Sequence, residues 1–253
     1  MKLISLNTWG GRAGKEGLAD FFARHAETDI FCLQEVWNGG EHMLTEVGGG
    51  KTMEHAVPQL LSVIIEALPD HTCYFRPHLF DFYGLAMFVK NGVKVLEEGE
   101  IFVHKERGFV LPGDWGTHAR NIQYVTLETE SGLRTVINFH GLWNGRGKTD
   151  TEERLVQSTN LVNFLGRLAN PHILCGDFNL LPETESLKIF EKAGLRNLIQ
   201  ENGITSTRSH HYTKEHRFAD YAFVSEGVEV QNFKVLDEPV SDHLPLYLEW
   251  GYY

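Results

Sequence analysis

Short apolar runs that end in polar side chains recur along this chain, and they limit its possible folds more than any other feature. The clearest run, residues 173–175 (ILC), leads directly into residues 176–179 (GDFN). Side chains at positions i and i+2 of a strand point to the same face, so Asp177 and Asn179 can reach one common ligand. An unpaired carboxylate in apolar surroundings is costly, which favours a functional role. An aspartate that caps the following turn is the simpler alternative.

Four other apolar runs end in the same way. The polar residues at their ends are Asn7, Glu35, His140, and Asp242 with His243. A single polar residue at a strand end is commonly satisfied by local hydrogen bonds. Five strand ends that offer carboxylates, amides and imidazoles together indicate one shared polar site.

The apolar patterns predict many strands and a few helices. Strands are predicted at residues 2–7, 29–35, 71–76, 84–90, 93–103, 120–129, 133–140, 172–177, 219–225, 228–236 and 243–250. Helices are predicted at residues 15–26, 52–67, 150–169 and 184–193, with a capping box formed by Thr149 and Glu152 at the third helix. The turn at 131–132 predicts a hairpin. This mixture predicts an α/β fold of two packed sheets flanked by helices.

Six motifs occur in a fixed order: LNTW (6–9), LQEV (33–36), FHGL (139–142), GDFN (176–179), ADYAFVS (219–225) and SDHLPL (241–246). In this set the chain resembles the endonuclease/exonuclease/phosphatase superfamily, the DNase I-like group. The resemblance runs from residue 3 to residue 246 and implies a four-layer α/β sandwich. Two positions depart from the pattern. Trp9 stands where some members carry a second metal-binding Asp, and Phe218 stands where Arg often precedes the Asp-Tyr motif.

The resemblance and the residue types imply a divalent-metal site. Glu35 offers the hard oxygen ligand that Mg²⁺ or Mn²⁺ prefers over thiolates or imidazoles. We expect Glu35 to be the principal ligand, with Asn7 and Asp242 completing or supporting the coordination. The expected cofactor is Mg²⁺ or Mn²⁺.

Phosphoester hydrolysis also needs an activated water and donors for the growing negative charge. His243 is expected to orient or deprotonate the water, with Asp220 fixing its tautomer. Asp177 is the further acid/base candidate, and Asn179 and His140 are expected to donate to phosphoryl oxygens. Two alternatives stay open: Asp220 as a strand-start aspartate held by backbone amides, and His140 as a core histidine.

Two further residues are candidates for substrate binding. Arg120 opens a predicted strand beside Asn121, where it contacts a phosphate or pairs with a surface acid. Asn144 lies four residues after His140 and is the weaker candidate.

The formal net charge of −11 disfavours long duplex DNA as the substrate, because an acidic surface repels a phosphate backbone. Residues 205–217 and 143–148 are locally basic, as solvated loops or as loops that face the site. The predicted function is a phosphodiesterase or nuclease acting by in-line water attack on nucleic acid ends or short strands. A lipid or inositol phosphate hydrolase of the same superfamily is the alternative, and a non-catalytic binding module is the alternative from another class.

The composition predicts one catalytic domain over residues 1–253, monomeric and cytoplasmic. No segment matches a signal peptide or the roughly 20 apolar residues of a membrane span, so no membrane anchor is expected. Three cysteines in apolar surroundings predict reduced thiols. Residues 48–52 (GGGKT) only partly match a phosphate-binding P-loop. Residues 37–52 are predicted to close over one side of the site, and residues 104–119 to form a loop that selects the substrate.

Overall fold

Two six-stranded sheets form the centre of the protein in a computed structural model that describes residues 1–41, 55–112 and 114–251. The strands are β1 (Lys2–Asn7), β2 (Ile30–Trp37), β3 (His71–Leu79), β4 (Tyr83–Lys90), β5 (Lys94–His104), β6 (Val110–Leu111), β7 (Asp114–His118), β8 (Arg120–Thr129), β9 (Gly132–His140), β10 (His172–Asp177), β11 (Arg196–Asn197), β12 (Asp220–Val224), β13 (Val230–Val235) and β14 (Leu246–Trp250). The helices are α1 (Lys15–Arg24), α2 (Leu60–Ala67), α3 (Glu152–Leu165), α4 (Glu185–Lys192) and α5 (Leu198–Glu201), and a short 3₁₀ turn spans Trp9–Gly11.

The two sheets share a pattern that gathers strand ends at one edge. The first sheet has the order β13-β14-β1-β2-β4-β3, and the second has the order β11-β12-β10-β9-β8-β5. The central pairs β1–β2 and β9–β10 are parallel, and their neighbours are antiparallel. Predicted polar residues stand at or near the carboxyl ends of the four central strands, β1, β2, β9 and β10, and these ends lie at one edge.

Side-chain alternation divides the core into layers. Ile4 and Phe31 pack with α1 and α2 on the outer face of the first sheet, whereas Leu3 and Cys32 face the second sheet. Helices α3 and α4 add apolar side chains such as Phe190 to the core of the second sheet. The predicted four-layer sandwich is confirmed.

A buried polar bridge joins the sheets close to their shared edge. The side-chain amide of Gln34 on β2 donates to Asn138 Oδ1 on β9 at 2.7 Å. Asn138 Nδ2 donates in turn to the carbonyl oxygen of Leu33 at 3.0 Å. Since both amides are buried, these bonds fix how the two sheets sit against each other beside the strand ends.

Helix boundaries are where the sequence predictions fail most. The second predicted helix starts only at Leu60. Its predicted first turns do not form because the Val57 N–H donates to the Gly10 carbonyl oxygen and Pro58 restrains the backbone of the residue before it. Residues 52–54 lie outside the described part of the chain. The third starts at Glu152, and its cap is Thr151, whose side chain accepts from the Arg154 N–H, rather than Thr149. The first predicted helix ends two residues early, and the fourth is confirmed within one residue at each end.

Strand predictions are largely confirmed, including the hairpin between β8 and β9. The last predicted strand is wrong over residues 243–245, because this segment turns into the polar site and β14 begins at Leu246. The predicted loop 104–119 contains the β6–β7 hairpin. Of the predicted loop 37–52, Trp37 is buried at the end of β2, and residues 42–52, including the GGGKT segment, lie outside the described residues.

Across residues 1–41, 55–112 and 114–251, no helix has the length and apolar character needed to cross a membrane. The three cysteines are free, and Cys32 and Cys175 are buried. These observations agree with the predicted lack of disulfides.

Candidate active site

Asp177 is the centre of the polar site. It is the last residue of β10, and strand register places it opposite His140 on β9 and Asp220 on β12. The carboxylate is 2% exposed and accepts a hydrogen bond of 2.9 Å from Asn7 Nδ2, which comes from the other sheet. The site therefore spans the edge shared by both sheets.

The glycine before Asp177 is required by the close approach of two strands. Gly176 has φ of 144°, and a Cβ there would collide with the carbonyl oxygen of Phe139. After Asp177 the chain turns sharply, with Asn179 in the left-handed region at φ 55°. The Asn179 N–H donates to Asp177 Oδ1 at 2.8 Å, and its side-chain amide donates to Gly141 O at 3.2 Å. The motif thus builds a rigid turn around the carboxylate.

Glu35 reaches the site from an irregularity in β2. The register between β2 and β4 shifts after Leu33, and Glu35 has φ of 57°. Asn7 Nδ2 donates to Glu35 Oε1 at 3.1 Å, so one amide group links Glu35 and Asp177. The Glu35 side chain is 21% exposed, so a hydrated cation can reach it from solvent.

His243 and Asp220 form a buried pair. His243 Nδ1 lies 2.8 Å from both carboxylate oxygens of Asp220, and Thr207 Oγ1 donates to the same carboxylate at 2.9 Å. Burial raises the pKa of Asp220 to about 6 and lowers the pKa of His243 to about 3. At neutral pH an ionised Asp220 therefore holds the Nδ1–H of a neutral imidazole. The free Nε2 lone pair faces Asp177 Oδ2 and Asp242 Oδ1, each 3.6 Å away.

A second imidazole approaches Asp177 from the opposite side. His140 Nε2 lies 3.8 Å from Asp177 Oδ2 and 4.0 Å from Glu35 Oε1, longer than a hydrogen bond in each case. Behind it, Arg120 Nη1 lies 3.1 Å from His140 Nδ1 and 3.4 Å from His78 Nε2. Burial lowers the pKa of His140 well below its ordinary value, and the charge of Arg120 lowers it further. His140 is therefore neutral.

The donor set suits a hard divalent cation. Asp242 Oδ2 accepts from Arg208 Nη1 at 2.9 Å, but its buried Oδ1 makes no hydrogen bond within the described residues. A buried carboxylate oxygen without a donor needs a partner, and a cation supplies one. Burial raises the pKa of Asp242, and the charges of His243 and Arg208 partly offset this effect. Ligand atoms of Glu35, His140 and Asp177 also lie within 4.8 Å of one another.

Two buried cations near these carboxylates were not among the predicted site residues. Arg208 is 7% exposed and pairs with Asp242, and Lys148 is 3% exposed and donates to the Phe218 carbonyl at 2.9 Å. Both lie over the ring of Tyr212, at 4.2 Å and 5.2 Å from its centroid. Burial and the charge of Arg208 lower the pKa of Lys148 to about 8. The signal that could have found them is the local basic character of residues 143–148 and 205–217.

The two predicted substrate-binding residues have different positions. Arg120 is only 2% exposed and bonds imidazoles, so pairing with a surface acid is wrong. Asn144 is half-buried in the loop before α3, where it donates to Thr151 Oγ1 at 3.3 Å and accepts from the Arg146 N–H at 3.2 Å. Arg154 holds the same loop through the carbonyl oxygens of residues 142, 147 and 149. No contact joins Asn144 to the carboxylate cluster among the hydrogen bonds of the described residues.

Seven of the predicted residues therefore form one cluster: Asn7, Glu35, His140, Asp177, Asp220, Asp242 and His243. One imidazole can accept a proton and another can donate a hydrogen bond, beside carboxylates that suit a hard cation. This chemistry is that of a metal-dependent phosphoester hydrolase.

The chain belongs to the endonuclease/exonuclease/phosphatase family, whose model matches residues 4–243. The resemblance seen in its six motifs is thereby confirmed. The protein is an enzyme of a family of metal-dependent phosphoesterases, and no curated protein matches it.

Solved structures of low sequence identity share the fold. A mannosyl-6-phosphatase from Bacteroides thetaiotaomicron is 20% identical, with 100% of both chains covered and a TM-score of 0.71. Humanized D. rerio TDP2 is 16% identical, with 100% of this chain and 99% of that chain covered and a TM-score of 0.70. The human Nocturnin catalytic domain with a bound sulfate anion is 19% identical, with 99% and 93% covered and a TM-score of 0.64.

Proposed function

We propose that this enzyme uses Mg²⁺ or Mn²⁺ to hydrolyse phosphodiester bonds by direct in-line attack of water, acting as one monomeric catalytic domain. The observation that carries the proposal is the pair of neutral imidazoles on opposite sides of Asp177, one backed by a carboxylate and one by a guanidinium.

Glu35 and Asp242 would hold the cation, with Asn7 fixing Glu35 in place through its amide. When bound, the cation polarises the phosphoryl group and offsets its negative charge. Asp242 Oδ1 is the buried oxygen that is free to face it.

His243 accepts the proton of the attacking water at Nε2. Asp220 stabilises the imidazolium that results, because its carboxylate already holds the Nδ1–H at 2.8 Å. His140 and Asn179 donate to the phosphoryl oxygens as negative charge develops. Asp177 orients these groups and takes part in proton transfer at the nucleophile or the leaving oxygen.

The charge distribution favours nucleic acid ends or short strands as substrates. A net charge of −11 opposes binding of a long duplex, whereas Lys148 and Arg208 place positive charge beside the carboxylates. A small sugar phosphate is the second candidate, because the mannosyl-6-phosphatase and this chain cover each other fully.

The test is hydrolysis of bis-p-nitrophenyl phosphate and p-nitrophenyl phosphate with Mg²⁺, Mn²⁺ or EDTA. We expect metal-dependent turnover that favours the diester, and loss of that turnover in Glu35→Gln. Glu66→Gln, an exposed residue of α2, is the matched control and should keep wild-type activity. Full activity of Glu35→Gln or activity in EDTA would contradict the proposal. A panel of short oligonucleotides, sugar 6-phosphates, inositol phosphates and sphingomyelin then identifies the substrate class.

A further inference from the structure

Arg120 occupies an unusual position for a charged residue. It is 2% exposed, and the described structure gives it two imidazole nitrogens as hydrogen-bond partners through one atom, Nη1. Its Nε is buried and makes no hydrogen bond within the described part of the chain. Arg154 is similarly buried, but its side chain donates hydrogen bonds to backbone carbonyl oxygens. Arg154 therefore holds a loop, whereas the hydrogen bonds that the described residues give Arg120 join it to two imidazoles, of which His140 lies beside the carboxylates.

A guanidinium is always a donor and never an acceptor. Its contact with His140 at 3.1 Å therefore requires the lone pair of Nδ1, and a neutral imidazole with that lone pair carries its proton on Nε2. The Nε2–H then points toward the space between Asp177 Oδ2 and Glu35 Oε1, at 3.8 Å and 4.0 Å. Both distances are longer than a hydrogen bond, so neither carboxylate oxygen accepts from Nε2–H, and this donor is available to an acceptor atom of the substrate.

The same rule fixes the second imidazole. Arg120 donates to His78 Nε2, so His78 carries its proton on Nδ1, which lies 2.9 Å from Asn121 Oδ1. Asn121 Nδ2 in turn donates to Glu100 Oε2 at 2.6 Å. Asn121 Nδ2 also donates to the Arg76 carbonyl oxygen at 3.3 Å. Every hydrogen bond in this series joins a donor to an acceptor, so the orientation of Arg120 is fixed from the side away from the site.

We propose that Arg120 is a positioning residue that locks His140 as the Nε2–H tautomer, so that His140 donates a hydrogen bond to a phosphoryl oxygen of the substrate. This inference rests on the proposed hydrolysis of phosphoesters. It gives Arg120 a role through His140 rather than through direct contact with a phosphate.

The direct test is ¹⁵N NMR of the wild-type protein labelled at histidine, with and without Mg²⁺. His140 is assigned from the signals lost in His140→Gln. We expect a protonated Nε2 and an unprotonated Nδ1 at neutral pH. A protonated Nδ1 or a doubly protonated His140 overturns the proposal. This readout needs no turnover, so it separates failure of the tautomer lock from failure of the proposed function.

The second test is Arg120→Met. Complete loss of one preorganised donor lowers kcat by roughly 10²-fold in other enzymes. We therefore expect kcat of Arg120→Met to fall in proportion to the fraction of His140 that leaves the Nε2–H tautomer, within that limit and with little change in KM. Added guanidinium ion should recover part of the lost kcat, and the ¹⁵N signals of His140 should shift toward a mixture of tautomers. Arg134→Met is the matched control, since Arg134 is 7% exposed near the far end of β9. A change in KM alone, or wild-type kcat, overturns the proposal. If Arg120→Met does not fold, the wild-type spectrum still decides.

Discussion

Two histidines face Asp177 from opposite sides, and the residues behind them carry opposite charges. Asp220 accepts from Nδ1 of His243, whereas Arg120 donates to Nδ1 of His140. The two histidines therefore have different roles: Nε2 of His243 is an acceptor, and Nε2 of His140 is a donor. Burial keeps both rings neutral at pH 7. The charge behind a histidine, rather than the histidine itself, therefore decides whether the ring acts as a base or as a hydrogen-bond donor.

Replacement of His243, the histidine held by the Asp220 carboxylate, should have the largest effect on catalysis. We expect His243→Ala to lower kcat by about 10³–10⁴-fold, because general base catalysis contributes up to that amount. Steady-state kinetics on bis-p-nitrophenyl phosphate measure it. His172→Ala is the control, because His172 lies at the opposite end of β10 from Asp177. A loss below tenfold would remove His243 from proton transfer.

Replacement of His140, the histidine that Arg120 contacts, should lower kcat by a smaller factor and leave its pH dependence unchanged. We expect His140→Ala to lower kcat by about 10²–10³-fold, the range for one donor to developing negative charge. The dependence of kcat on pH should keep the wild-type shape, because His140 donates a hydrogen bond and transfers no proton. Comparison of the pH profiles of His140→Ala and wild type checks this. Loss of one limb of the profile would assign His140 to proton transfer instead.

Acid should lower the stability of the folded protein through protonation of His78, a partner of Arg120. Burial lowers the pKa of His78 to about 3, so the unfolded chain binds a proton that the folded chain excludes, and stability is lost as pH falls from about 6.5 toward 3. We expect His78→Gln to remove this proton, which reduces the pH slope of the unfolding free energy by about 1.4 kcal/mol per pH unit near pH 5, and by less between pH 7 and 6, where the unfolded imidazole is only partly protonated.

Urea unfolding of the metal-free protein at pH 7, 6 and 5 measures this slope. His210→Gln, which replaces an exposed histidine, should leave it unchanged. Equal slopes for His78→Gln and wild type would show that His78 does not titrate as its burial requires.

The strand ends could be predicted from the sequence because two local rules determine them. Apolar runs placed Asp177 at the end of its strand, and parallel pairing brought Asn7 and His140 to the same edge. Strand alternation was the wrong reason to group Asn179 with Asp177, because β10 ends at Asp177 and Asn179 lies in a left-handed turn. These residues form the part of the site that the motifs predicted.

The contact of Arg120 with His78 could not be predicted, because it depends on how the sheets pack. Arg120 lies on β8 of the second sheet, whereas His78 lies on β3 of the first sheet, 42 residues earlier in the chain. Neither periodicity nor turn chemistry determines such a contact. The predicted cap of α3 was wrong because Thr149 and Thr151 are both suitable caps. Tertiary contacts of the preceding loop select Thr151.

In the proposed mechanism, one cluster at the shared edge of the sheets holds both the cation and the phosphoryl group. Anomalous diffraction from crystals soaked with Mn²⁺ tests it most directly. We predict a peak beside Glu35 and Asp242, with the buried Asp242 Oδ1 among its neighbours. A peak found only at His210 and His211, with none beside Glu35, would contradict the account.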